Sequence, residues 1–190
     1  MSDSFEDMEL DFSQSFDREE QVTAPEFPAE GIFHSGIDFV DAANDKAPGA
    51  AFLTFKIFCG NVDDQQGKIV RYVVWPPHPN STNPELAKKQ WMQTIAQLML
   101  ALGMRQPGEF PKIVINQGFW ESMLGKQCFT RITHKEKTST SDGGSKTTHT
   151  EAVIKYRTDF IPLFDESCSE VPYDADAAMI GGYSKGGGGI

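Results

Sequence analysis

Residues 51–75, AFLTFKIFCGNVDDQQGKIVRYVVW, hold two apolar runs joined by a polar loop. In the first run Leu53, Phe55, Ile57 and Cys59 alternate with Phe52, Thr54, Lys56 and Phe58. A period of two places these sets on opposite faces of a strand. Gly60–Gly67 supplies Gly, Asn and Asp where a hairpin turns, and Lys68–Trp75 forms the returning strand until Pro76 and Pro77 stop it. Upstream, Ala42–Gly49 carries turn chemistry, and IFHSGIDFV (32–40) sets Phe33, Ile37 and Phe39 on one side of a further strand. Three strands at this spacing predict a meander.

Downstream the period changes. Asn83 suits a cap, Pro84 the first helical position and Glu85 the positive end of the helix dipole. Leu86, Trp91, Ile95, Leu98 and Leu102 then follow helical spacing, and Gly103 is a natural stop. Beyond a Pro- and Gly-rich stretch, Phe119–Leu124 reads as a short helical turn and Gly125–Lys137 as a fourth strand. Thr138–Thr148, without apolar residues, reads as a flexible loop, and a fifth strand at about Glu151–Phe160 ends before Pro162. The order predicts an all-β fold with one helix: an OB-fold-like five-stranded Greek-key barrel, the helix between strands 3 and 4. The alternative is an open meander with a packed helix.

Charge divides the chain in three. Of 190 residues, 27 are acidic and 17 basic, a formal charge of −10. Residues 1–30 hold ten acids and one base, residues 31–164 fifteen bases and twelve acids, and residues 165–190 five acids and one base. A mildly basic domain at 31–164 is thus expected between two acidic tails. The first tail is poor in β-branched residues and predicts disorder, as a solubilising tail or, with Phe5, Met8, Leu10, Phe12 and Phe16 set among acids, as a docking peptide. The second ends in four glycines and Ile190, a flexible composition. No apolar run approaches the length of a membrane span, and the acidic N-terminus is unlike a secretory signal. Three scattered cysteines fit a reducing cytoplasm rather than a disulfide framework.

With these elements in order, the chain resembles a phage-encoded family of single-stranded DNA-binding proteins. The resemblance is carried by LDFSQSFD, EGIFHSGIDFVDA, AAFLTFKIFCGN with GKIVRYVVW, the helix end LALGM, and MLGKQCFTRITHKEK, and it spans about residues 30–163. It implies an OB-fold that coats single strands without sequence preference during phage DNA replication, recombination or repair, in the host cytoplasm. It also implies acidic tails that contact replication or recombination proteins. The C-terminus lacks the Pro-Phe tip of bacterial single-strand binding proteins, which sets tail-mediated recruitment by that motif apart from this chain.

Binding single strands without sequence preference takes cations along the phosphates and aromatic faces under the bases. The alternation offers Lys56 and Phe58 on strand two, Arg71 and Trp75 on one face of strand three with Tyr72 on the other, and Phe129, Arg131, Lys135 and Lys137 on one face of strand four. Lys146 lies in the following loop, and Lys155 and Arg157 on strand five. Trp91, on the helix, reads as core. Metal-ligand spacing, phosphate-loop glycines and a nucleophile elbow are absent from the sequence, so neither an enzyme nor a cofactor is expected. A homo-oligomer is compatible with a long binding site. The competing class is an acidic protein-interaction module that mimics DNA and binds a host or phage protein.

Overall fold

A computed structural model describes residues 27–42, 49–109, 111–140 and 146–177. Most of the expected acidic N-terminal tail, most of the Ala42–Gly49 turn and the Gly-rich end lie outside the described residues. Three strands come first: β1 (Gly31–Asp41), β2 (Ala51–Gly60) and β3 (Ile69–Val74). Helices α1 (Pro84–Ala101) and α2 (Gln117–Glu121) follow, and then β4 (Gln127–Thr140), β5 (Lys146–Val153) and the two-residue β6 (Phe160–Ile161). The strands form one open antiparallel sheet of order β3-β2-β1-β4-β5, with β6 paired to β4. β3 and β5 end this path and come within 8 Å of each other. Among the described residues no ladder joins them.

The inner face carries the core. Phe33, Ile37, Leu53, Phe55, Ile57, Val70, Val74, Cys128 and Ile132 are buried together, with Ile95, Leu98 and Met99 of α1 packed on them. Burying each large aliphatic or aromatic side chain contributes roughly 1.5–3 kcal/mol. Two polar groups also lie at this depth, and they satisfy each other: Ser35 and Thr130 share a 2.8 Å hydroxyl hydrogen bond.

The first helix begins and ends where its sequence says. The Asn83 side chain accepts from the Leu86 N–H at 3.0 Å, and Gly103 takes a φ of +64° just past the end. Gln97 donates to the Phe160 carbonyl at 2.9 Å, fixing α1 against β6. Asn116 caps α2 in the same way, through the Phe119 N–H at 2.9 Å. That turn drives Trp120 and Met123 into the core.

Three expectations are corrected. Thr138–Thr148 is not a loop along its length: β4 runs to Thr140, and Thr138, Ser139 and Thr140 pair with Thr148, Thr147 and Lys146. A hairpin arm exposed on both faces needs no apolar residues, and threonine favours extended backbone. The fifth strand is broken. β5 ends at Val153, a 3₁₀ turn spans Arg157–Asp159, and pairing resumes at Phe160. The Asp159 carboxylate closes the interruption by accepting from the Tyr156 N–H at 2.7 Å. Residues 165–177 do not form a free tail, because Cys168 and Ala177 are buried and Val171 packs on Phe129 and Ile161.

Candidate nucleic-acid interface

Two irregularities in the β1–β2 ladder decide what the outer face presents. Ile37 pairs with Phe55 and Phe39 with Thr54, so Asp38 is an extra residue. Such a bulge reverses the facing of everything beyond it. Phe39 therefore turns out to solvent, 59% exposed, instead of joining Phe33 and Ile37 in the core. A second shift, between His34 and Ser35, makes Phe58 the extra residue and turns Cys59 outward beside His34.

The outer face of β1, β2 and β3 is built in rungs. Phe39, Thr54 and Arg71 form one, Gly36, Lys56 and Ile69 the next, and Asp41, Phe52 and Val73 a third. Beyond the third rung Trp75 stands 61% exposed, its ring centroid 6.0 Å from that of Phe52 in an edge-on arrangement. Lys56 and Arg71 are exposed. Three aromatic rings and two cations thus share one face, the pairing that single-strand binding uses. Lys56, Arg71 and Trp75 were legible from alternation. Alternation gives Phe52 its correct facing without a role and puts Phe39 on the wrong side. Its one sequence signal is the adjacent apolar pair Phe39-Val40 between Asp38 and Asp41, which no uninterrupted period of two can bury and expose correctly.

The remaining predicted residues lie elsewhere. Tyr72 faces the core, its ring edge-on to Phe160 at 4.8 Å, and burial pushes its phenol pKa up. Phe58 leans over Gly36, where an added Cβ would stand 2.8 Å from its ring, and meets His34 edge-on at 5.2 Å. Phe129 does face outward, but the sheet's second layer covers it: it is 3% exposed beneath Ile161, Cys168, Leu163 and Val171. It offers no face to a base in this structure. Arg131 sits 4.0 Å from the buried Asp159 carboxylate, and Lys137 lies 3.6 Å from Glu151. Lys135 is exposed opposite Glu151 in register, and Lys146 is exposed at the start of β5. Lys155 and Arg157 are exposed beyond the end of β5, with the Lys155 ammonium 5.0 Å over the Tyr156 ring. The expected stripe is therefore shared with acids along the hairpin. In the sheet order β1 and β2 lie between Arg131 on β4 and Arg71 on β3.

His34 anchors the C-terminal cover. It is fully buried, with Tyr173 at 4.5 Å between ring centroids. Its Nδ1 accepts from the Asp174 N–H at 3.2 Å, which leaves Nε2 to donate to the Gln127 carbonyl oxygen at 3.0 Å. Burial lowers the imidazole pKa, against smaller opposing contributions from Gln127 and the Asp174 carboxylate. Cys59 donates to the Pro172 carbonyl at 3.2 Å. The cover carries Asp165, Glu166, Glu170, Asp174 and Asp176 and no base.

The chain matches no protein-family model and no curated protein in sequence. Among the described residues, no helix is long and apolar enough to cross a membrane.

Proposed function

We propose that this chain binds single-stranded DNA without sequence preference, on the outer face of β1, β2 and β3, as a protein of phage replication, recombination or repair. The observation that carries the reading is the exposed pair Phe39 and Trp75, with the half-buried Phe52 and the cations Lys56 and Arg71 on the same face. Base–aromatic stacking contributes roughly 1–3 kcal/mol per base and tolerates any base. The reading includes an OB-fold. A strand order of β3-β2-β1-β4-β5 is what a five-stranded Greek-key barrel leaves when the β3–β5 seam is open, and the proximity of β3 to β5 supports that derivation. The work is binding rather than catalysis, it proceeds in the cytoplasm without a cofactor, and copies of the chain along one strand extend the site.

The test is a tryptophan-fluorescence titration of the full chain with oligothymidylate and with a matched duplex at two salt concentrations. Quenching by the single strand, weaker with duplex and reduced by salt, is the expected result. No binding of either at low salt overturns the reading. The formal charge of −10 then favours the second one, an acidic module that binds a host or phage protein.

A further inference from the structure

Where β3 runs out, its last residues, the Pro76-Pro77 turn and α1 enclose a cleft of about 340 Å³. That is the lower end of the range for small-ligand sites. Its lining residues include Tyr72, Trp75, His78 and Trp91 with Pro77, Ser81 and Gln90, and no Asp, Glu, Lys or Arg lines it among the described residues. His78 and Trp91 each carry a ring donor. The His78 Nδ1 accepts from the Asn80 N–H at 3.1 Å, so in the neutral ring the proton sits on Nε2. The indole N–H of Trp91 is buried and has no hydrogen-bond partner among the described residues. A buried Trp N–H without a partner is uncommon and costs free energy.

We propose that this cleft takes one nucleobase from the end of a bound strand, with a carbonyl oxygen or ring nitrogen of the base accepting from Trp91 as the indole edge opens to it. The proposal rests on the single-strand reading above and extends it to a residue read as core from the sequence. Uncharged walls that mix aromatic and polar residues suit a nucleobase, and the absence of Lys and Arg argues against a phosphate. Trp75 makes the connection, because it lines the cleft and also stands beside Phe52 on the outer face. A strand that crosses β2 and β3 over Phe52 therefore meets the cleft next.

Three tryptophans make the test direct. The full chain, labelled with ¹⁵N, gives three indole N–H resonances, and Trp91→Phe identifies the one from Trp91. Oligothymidylate of about 12 nucleotides, within the usual range for one OB-fold, is compared with the same strand carrying abasic residues at both ends. The intact strand is expected to shift the Trp91 indole resonance downfield. The abasic-ended strand is expected to leave it in place and to bind about fivefold or more weakly. If the intact strand moves backbone resonances of β2 and β3 but not the Trp91 indole, the cleft proposal falls and the strand-binding reading stands. If no resonance moves, both fall.

Discussion

Exchanging the roles of two phenylalanines is the sharpest test of the interface. Alternation puts Phe39 in the core and Phe129 on the binding face, whereas the structure does the reverse, at 59% and 3% exposure. Phe39→Ala removes a ring that is largely in water already, so stability is expected to change by about 0.5 kcal/mol or less. The same substitution deletes one stacking platform, worth roughly 1–3 kcal/mol, which is about a 5- to 150-fold rise in Kd for oligothymidylate. Phe129→Ala opens a cavity between the sheet and the Ile161, Cys168 and Val171 layer. A loss of about 3–5 kcal/mol is expected, while the folded fraction binds strands nearly as before. Urea unfolding reads the first quantity and fluorescence titration the second, and neither variant removes a tryptophan reporter. A folded Phe39→Ala protein that binds like the unmodified chain refutes the assignment of the outer face. An unfolding midpoint for Phe129→Ala equal to that of the unmodified chain refutes the packing argument.

Three further outcomes are expected. Gly60→Ala puts a Cβ 2.7 Å from the Ile32 carbonyl oxygen and against the Phe33 ring, so a destabilisation of about 1–3 kcal/mol should appear in thermal unfolding. The His34 pKa is lowered on folding, so the unfolded chain binds its proton more readily; the stability this site contributes is complete above the unfolded value of about 6.5 and lost as pH falls below it. The protection factor of the Asp174 amide, which donates to Nδ1, should therefore fall at acid pH in the unmodified chain, and a pH-independent protection factor would contradict the tautomer assigned. Deleting residues 1–26 removes nine acids and one base and should tighten strand binding at low salt. The cut spares Pro28, whose carbonyl receives the His134 ring at 2.8 Å, and Glu30, which accepts from the His134 N–H.

Much of this arrangement could be read from residue order, and the parts that could not share a cause. The β2–β3 hairpin, the capped helix and the α2 turn follow from local signals: a period of two, Asn83-Pro84 and Asn116. Lys56, Arg71 and Trp75 faced as alternation required. The bulge at Phe58 has no local signature and that at Asp38 only the Phe39-Val40 pair, because an inserted residue is set by the register of the partner strand. The same holds for the break between Val153 and Phe160, where Asp159 satisfies backbone in place of a ladder. The 165–177 cover was missed because an acidic composition reads as solvated, whereas its attachment uses Cys168, Val171 and Tyr173.

The Asp174–His34 hydrogen bond joins residues 140 positions apart, and Cys59 meets Pro172 across 113. Contacts of that separation form late, since a long loop must close before they repay its entropy. During synthesis β2 and β3 emerge onto strands already present, whereas α1 awaits the Arg157–Asp159 turn and β6, and β1 cannot acquire its outer layer until residues 172–174 have left the ribosome. Until then His34, Phe58 and Cys59 remain open on a growing sheet whose edge at β1 still awaits β4. That interval is when the nascent protein is most prone to pair with a neighbour. Codon or temperature changes that slow the last third of translation should therefore lower the yield of soluble protein more than equal delays early in the chain.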